Sequence, residues 1–144
     1  MISLREINKN NLGSIIELSV ADHQSKLVLS NAISIAQSKV QEECIPLAIY
    51  SGDTPVGFLM YCIDSDDDEY WLYRLMIDQN HQGKGYSKKA MNLLLDIIKQ
   101  DKSRNKMFLG VDKSGGASIK LYESLGFKYT GQVFGQEHIM VLDY

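Results

Sequence analysis

The sequence predicts an α/β (α+β) protein: a mixed central sheet of about seven strands flanked by about four helices. Three observations predict it. The elements run β-α-α-β-β-β-α-β-α-β-β, so antiparallel strands come first and two strand–helix units follow. Turn residues bound the apolar runs, and three segments repeat their apolar residues at helical spacing. Such an order gives strands of both directions with helices on both faces.

Ser3–Ile7 reads as the first strand. Asn10 or Asn11 can cap a helix through about Val20, with Leu12, Ile15, Ile16 and Ser19 on one side. A second helix is expected over Lys26–Gln41, where Val28, Ala32, Ile35 and Ala36 line one face. Three strands follow, Cys44–Tyr50, Pro55–Ile63 and Tyr70–Ile77. Ser51-Gly52-Asp53-Thr54 has hairpin-turn composition, and an acidic loop joins the second pair. The longest helix is expected from about Gly85 to Gln100, with a stripe of Tyr86, Ala90, Leu93, Leu94, Ile97 and Ile98. Met107–Val111 is a buried strand, and Ala117–Leu125 is a helix ended by Gly126, a left-handed terminator. Tyr129–Phe134 and His138–Asp143 close the chain as a hairpin around Gly135.

A length of 144 residues, 44% hydrophobic and 23% charged, predicts a single domain over residues 1–144. No repeat or linker divides it. Cys44 and Cys62 each lie in an apolar run, which fits reduced thiols in a cytoplasmic protein. No apolar stretch is long enough for a membrane span, and the first residues lack a signal-peptide layout. The net charge of −3 argues against nucleic acid. Five of the 18 acidic residues fall within six positions (Asp64, Asp66, Asp67, Asp68 and Glu69), leaving 13 against 15 basic ones. Such a patch is either a solvated loop or an attractor of cations. Asp64-x-Asp66-x-Asp68 imitates the start of a calcium loop, but Glu69 and Leu75 stand where glycine and glutamate are needed, so no metal is expected.

Chemistry concentrates in Leu75 to Lys88, where an apolar strand runs through a polar turn into a glycine-rich helix start. The opening N–H groups of a helix lack internal partners and carry partial positive charge. Glycines let a phosphate come close to them. Gln82, Gly83, Lys84, Gly85, Tyr86 and Ser87 therefore form a candidate pyrophosphate cradle, with Lys84 and Lys88 adding cationic charge. The dinucleotide fingerprint fails because Lys88 replaces its third glycine, and the P-loop fails at Asp78 and Gly85.

Gln82-x-x-Gly85-x-Ser87 after a strand resembles motif A of the GNAT superfamily of N-acetyltransferases, with serine in place of the usual glycine or alanine. Ser118-Ile119-Lys120-Leu121-Tyr122-Glu123-Ser124-Leu125-Gly126-Phe127 is similar to that family's second motif. Within the superfamily, Trp71 to Asp78 and the Asn31-x-x-Ser34-x-Ala36-Gln37 helix resemble bacterial spermine/spermidine (diamine) acetyltransferases. The resemblance implies the GNAT fold, acetyl-CoA as co-substrate and an amine as acceptor. It implies that the backbone of Leu75, Met76 and Ile77 pairs with the pantetheine arm and that Gln82 to Ser87 hold the pyrophosphate. The family's asparagine falls at Gly115, so Ser114 or the Gly115-Gly116 backbone would have to replace it.

Gly115, Ser118 and Tyr122 share a helix face, and a phenol stays protonated at neutral pH, so Tyr122 is expected to protonate the coenzyme A sulfur. Glu69 is the expected proton acceptor; His23, in the helix-linking region, is a further substrate-binding candidate. Asp66, Asp67, Asp68 and Glu69 are expected to steer a polyamine. His81 and His138 have no assigned partner. Two other readings stand beside the polyamine enzyme: the same chemistry on another small amine or a protein amine, and a non-catalytic sensor of coenzyme A. Pairing into a homodimer is compatible with all three.

Overall fold

The computed structural model describes residues 1–21 and 29–144. Seven strands form one sheet: β1 (Ile2–Glu6), β2 (Cys44–Ser51), β3 (Thr54–Ile63), β4 (Tyr70–Ile77), β5 (Lys106–Asp112), β6 (Lys128–Phe134) and β7 (Glu137–Asp143). Among the described residues four α-helices join them: α1 (Leu12–Glu17), α2 (Asn31–Val40), α3 (Tyr86–Ile98) and α4 (Gly116–Ser124). The sheet order is β1-β2-β3-β4-β5-β7-β6. Only β4 and β5 pair in parallel. The expected class and element order are therefore those observed.

Each face of the sheet carries its own core. One buries Ile49, Leu59, Leu94, Ile98, Met107 and Tyr122, with residues of α3 and α4. The other buries Ile15, Ala48, Phe58, Met60 and Met76, with Ile35 of α2 packed against it. Cys44 and Cys62 are free, buried and directly opposite each other on β2 and β3. Burial pushes the Cys62 thiol up to about 12, so both are packing groups rather than nucleophiles.

Three local expectations give way. The helix expected from Lys26 begins at Asn31 in the described residues, because Ser30 Oγ accepts the Ile33 N–H at 3.3 Å and caps it there. Its inward face is polar: Asn31 and Ser34 are buried while Ala32 and Ala36 are exposed. Asn31 Nδ2 donates to the Ile15 carbonyl at 2.8 Å, closing the end of α1. On α3 the buried stripe is Ala90, Met91, Leu94, Leu95 and Ile98, with Ile97 turned outward. That is the expected stripe rotated by about one residue.

The feature that opens the molecule is in β4. Arg74 faces Met60 and Leu72 faces Tyr61, leaving Tyr73 as an extra residue. Such a bulge bends its strand and interrupts pairing. Parallel pairing to β5 runs through Tyr70↔Met107, Trp71↔Phe108 and Leu72↔Leu109 and stops there. Beyond Leu72 the two strands part, leaving the second half of β4 without a neighbour on that side.

The pairing with β3 tells which backbone groups face the gap. The Asp78 N–H donates to the Val56 carbonyl at 2.8 Å. Alternation then turns Met76 toward Phe58 and turns Leu75 and Ile77 toward the gap. Gly57 agrees: a Cβ there would run into the Met76 carbonyl. A Gly57→Ala substitution should cost about 2 kcal/mol through this overpacking. Urea denaturation checks it, and an unchanged midpoint would contradict the described register.

Candidate active site

Along the half of β4 beyond its pairing with β5 lies a cleft of ≈ 340 Å³. Leu75, Met76 and Ile77 line its strand side. Gln82, Gly83, Gly85, Tyr86, Ser87 and Lys88 line the turn and the start of α3. Ser118 and Tyr122 of α4 complete it, together with Val20, His81, Ala117 and Leu121, which sequence reasoning did not assign. Two expected residues stand outside, Lys84 and Gly115.

The turn is shaped from both ends. Asp78 is buried, and its carboxylate accepts the Ser19 N–H at 3.0 Å and the Asn80 N–H at 3.2 Å. A 3₁₀ turn over Gln79–His81 follows. Gln82 Nε2 donates to the Ile77 carbonyl at 2.9 Å, folding the turn back onto the end of β4. Gly83 (φ +81°) and Gly85 (φ +77°) are left-handed, a conformation other residues enter at a cost of about 1–2 kcal/mol. No described residue lies within 4 Å of a Cβ built on either, so among the described residues the space above them is open. Gly85 is the N-cap of α3, and among the described residues no side chain caps the helix. Its first-turn N–H groups therefore have no intrahelical partner, and the helix dipole adds positive charge to an open floor. These features fit a diphosphate.

Tyr122 reaches the cleft from α4 with 8% of its surface exposed. Its ring packs edge-on against Phe127 at 5.8 Å. The hydroxyl makes no hydrogen bond within the described residues, and burial holds its pKa above the ordinary tyrosine value. A protonated, unengaged phenol in the cleft is free to donate.

A second cleft, of ≈ 330 Å³, meets β4 two residues before Leu75. Its acidic lining is Asp64, Asp66, Asp67 and Glu137; Trp71, Tyr73 and Phe134 supply aromatic surface. Asp64 Oδ2 accepts the Tyr73 hydroxyl at 2.6 Å, and Asp67 Oδ2 accepts Trp71 Nε1 at 2.8 Å, so these carboxylates are held in place. Glu137 comes from the far hairpin and folds over Gly110, where a Cβ would sit 2.6 Å from its carboxylate oxygen. Sequence reasoning missed Glu137 and Phe134. Their signal was Gly110, a glycine inside an otherwise apolar strand.

Several expected roles are corrected. Asp68 is tied away from the second cleft: its carboxylate pairs with Arg104 Nη2 at 2.9 Å, while its carbonyl accepts Arg104 Nε at 2.7 Å. Arg104 also binds Asp101, whose carboxyl the Ser103 and Arg104 hydrogen bonds hold far below the usual range. Glu69 lines neither cleft. It lies six residues before Leu75, about 20 Å along an extended strand, so the structure does not bring it to the strand side of the first cleft. Its Oε2 is buried without a hydrogen-bond partner. Met76 spends its backbone groups on β3 rather than the gap, as derived above. Ser114 Oγ donates to Asp112 Oδ1 at 2.7 Å, so its hydroxyl is committed to the turn and does not replace the missing asparagine. His81 lines the first cleft, and His138 stacks edge-on with Tyr129. His23 lies outside the described residues.

A mixed sheet split at a bulge, with an uncapped helix aimed into the split, defines the GNAT fold. The acetyltransferase (GNAT) family model matches residues 5–127, and the chain belongs to that family. It is 27% identical over 147 aligned residues to the spermine/spermidine N(1)-acetyltransferase of Bacillus subtilis (strain 168), covering 97% of each chain. Among solved structures it is similar to a spermidine N-acetyltransferase from Vibrio cholerae in complex with CoA and spermine. There the TM-score is 0.76 at 17% identity, with 99% of this chain and 95% of that one covered. A PaiA N-acetyltransferase from Thermoplasma acidophilum in complex with coenzyme A gives a TM-score of 0.74 at 19% identity, covering 100% and 99%.

The raised pKa of Tyr122 makes a stability prediction. Folding favours the protonated phenol, so this contribution is whole below the unfolded pKa of about 10 and is lost as pH rises through the folded value. Stability should therefore fall more steeply above pH 10 in the wild type than in Tyr122→Phe. Equal alkaline slopes in urea titrations would contradict the buried placement.

Proposed function

We propose that this acetyltransferase moves the acetyl group of acetyl-CoA to a primary amine of a polyamine such as spermine or spermidine, by direct attack in a ternary complex. The observation that carries this reading is the placing of two clefts along β4, one reaching from Leu75 to the open start of α3 and the other, lined by Trp71 to Tyr73, walled by carboxylates and aromatic rings. The relative in Bacillus subtilis supports the acceptor class by its name.

In the first cleft the N–H groups of Tyr86, Ser87 and Lys88 receive the diphosphate, and Gly83 and Gly85 allow its approach. Lys84 and Lys88 add charge from the rim. Leu75 and Ile77 receive the pantetheine arm as an added strand. Ser118 lies beside Tyr122 at the reacting end.

A lysine-like amine with a pKa of about 10.4 is neutral in only about one molecule in 2,500 at pH 7, a handicap of roughly 4.6 kcal/mol. Asp64, Asp66, Asp67 and Glu137 concentrate the polycation and bind its remote ammonium groups, and the aromatic rings add cation–π contact. The neutral amine attacks the carbonyl carbon. A C–N bond forms, the C–S bond breaks, and Tyr122 delivers its proton to the departing sulfur. The amine's surplus proton leaves to a carboxylate of the second cleft or to water, and then re-protonates the phenol through solvent.

Thiol release should be measured for spermine, spermidine and unrelated amines with acetyl-CoA. Polyamines should give the highest kcat/KM, and no turnover with any amine would exclude the enzyme reading. Tyr122→Phe should lower kcat at least about 100-fold with KM little changed; full kcat in folded protein would remove the donor. Joint replacement of Asp64, Asp66 and Asp67 by Asn and Glu137 by Gln should raise spermidine KM at low salt and much less at high salt. A KM that does not move would place the acceptor elsewhere.

A further inference from the structure

The β4 bulge needs something to hold it, and one side chain reaches it from the α2 face. Tyr73 is the residue in excess, so its carbonyl falls out of step with the ladder to β3. Arg74 Nη1 donates to that carbonyl at 2.8 Å. Arg74 Nη2 donates to Gln37 Oε1 on α2 at 3.1 Å. Gln37 is itself fixed, because its Nε2 donates to Gln41 Oε1 one turn later at 2.6 Å. The guanidinium thus bridges the bulge to a helix, using the planar fork that distinguishes arginine from lysine.

What hangs on this bridge follows from strand parity. Side chains and backbone groups alternate along a strand, so a bulge that moved or straightened would exchange the two directions for every residue beyond it. Met76 would then face the gap, while Leu75 and Ile77 would turn their backbone toward β3. A straight β4 would also go on pairing with β5 past Leu72 and Leu109, closing the gap itself. The floor at Gly83, Gly85 and the start of α3 is built from different elements and is tied to β4 through the Gln82 hydrogen bond to the Ile77 carbonyl, so it depends on the bulge less directly.

We propose that Arg74, anchored on Gln37, is a positioning residue that locks the bulge at Tyr73 and so sets Leu75 and Ile77 in register to receive the pantetheine arm. This rests on the reading that the first cleft holds coenzyme A, and it separates the two halves of that ligand. The arm depends on Arg74; the nucleotide diphosphate depends on it less directly.

The test compares two ligands by calorimetry: CoA, and 3′-phospho-ADP, which carries the nucleotide and diphosphate without the arm. Arg74→Gln should weaken CoA at least about tenfold, the size expected from losing a charge-assisted hydrogen bond, and leave 3′-phospho-ADP within about twofold of wild type. Arg74→Lys keeps the charge but not the fork and should behave like Arg74→Gln. Gln37→Leu removes only the anchor and should show a smaller loss for CoA alone, which keeps the test decisive if the Arg74 variants melt below the working temperature. The proposal is overturned if both ligands weaken alike, if neither does, or if Arg74→Lys binds CoA like wild type. Wild type that binds neither ligand overturns the underlying reading of the cleft. Wild type that binds both, with variants that do not discriminate, overturns the role of Arg74 alone.

Discussion

The parting of β4 from β5 after Leu72 and Leu109 is the constraint on which the rest of the site depends. A parallel pair inside a covered sheet would ordinarily run its full length, since each unpaired backbone group left from water costs free energy. Here an extra residue in β4 ends the pairing early. The groups released at Leu75 and Ile77 face a cleft, and the strand's far end runs into a turn stiffened by Asp78 and Gln82. One irregularity thereby produces a gap and a half-strand left unpaired on one side among the described residues.

The two clefts divide the electrostatics. Around α3 the floor is positive: uncapped N–H groups, a helix dipole, and lysines at the rim. Two residues earlier on β4 the walls are negative, with carboxylates fixed by the Trp71 and Tyr73 side chains. A polyanionic donor and a polycationic acceptor would each find the opposite sign, and the short stretch of β4 between them is where the reacting atoms would meet. Tyr122 approaches that stretch as a neutral group, so it adds no charge to either side.

Much of this was legible in the residues. Turn composition and helical stripes gave the order of elements along the chain, and the Gln82-to-Ser87 run gave the glycine-rich turn into α3, because left-handed glycines before a helix leave a mark in sequence. The bulge left none: Tyr73-Arg74 reads as an ordinary alternating strand, and only pairing with β3 reveals the extra residue. Met76 lines the cleft but turns its backbone to β3, a direction set by its partner Phe58, which is remote in sequence. The acidic loop was read as one patch, yet Arg104, 36 residues from Asp68, turns that residue away from the others. Glu137 arrives from a hairpin 70 residues beyond Asp67, and its one mark in the sequence is the glycine at position 110 that makes room for it. The polar inward face of α2 escaped notice because Asn31 and Ser34 serve the backbone of α1 and the bulk of the sheet rather than an apolar seam.

The most direct test of the split-strand account is residue-resolved amide hydrogen exchange by NMR, with and without CoA. The amides of Leu75, Ile77, Tyr86, Ser87 and Lys88 should exchange readily in free protein and become protected on addition of CoA, while Met76, already bonded to β3, stays slow throughout. If Met76 gains protection and its neighbours do not, or if CoA leaves all of them unaltered, the gap beside β4 is not where the acyl carrier lies.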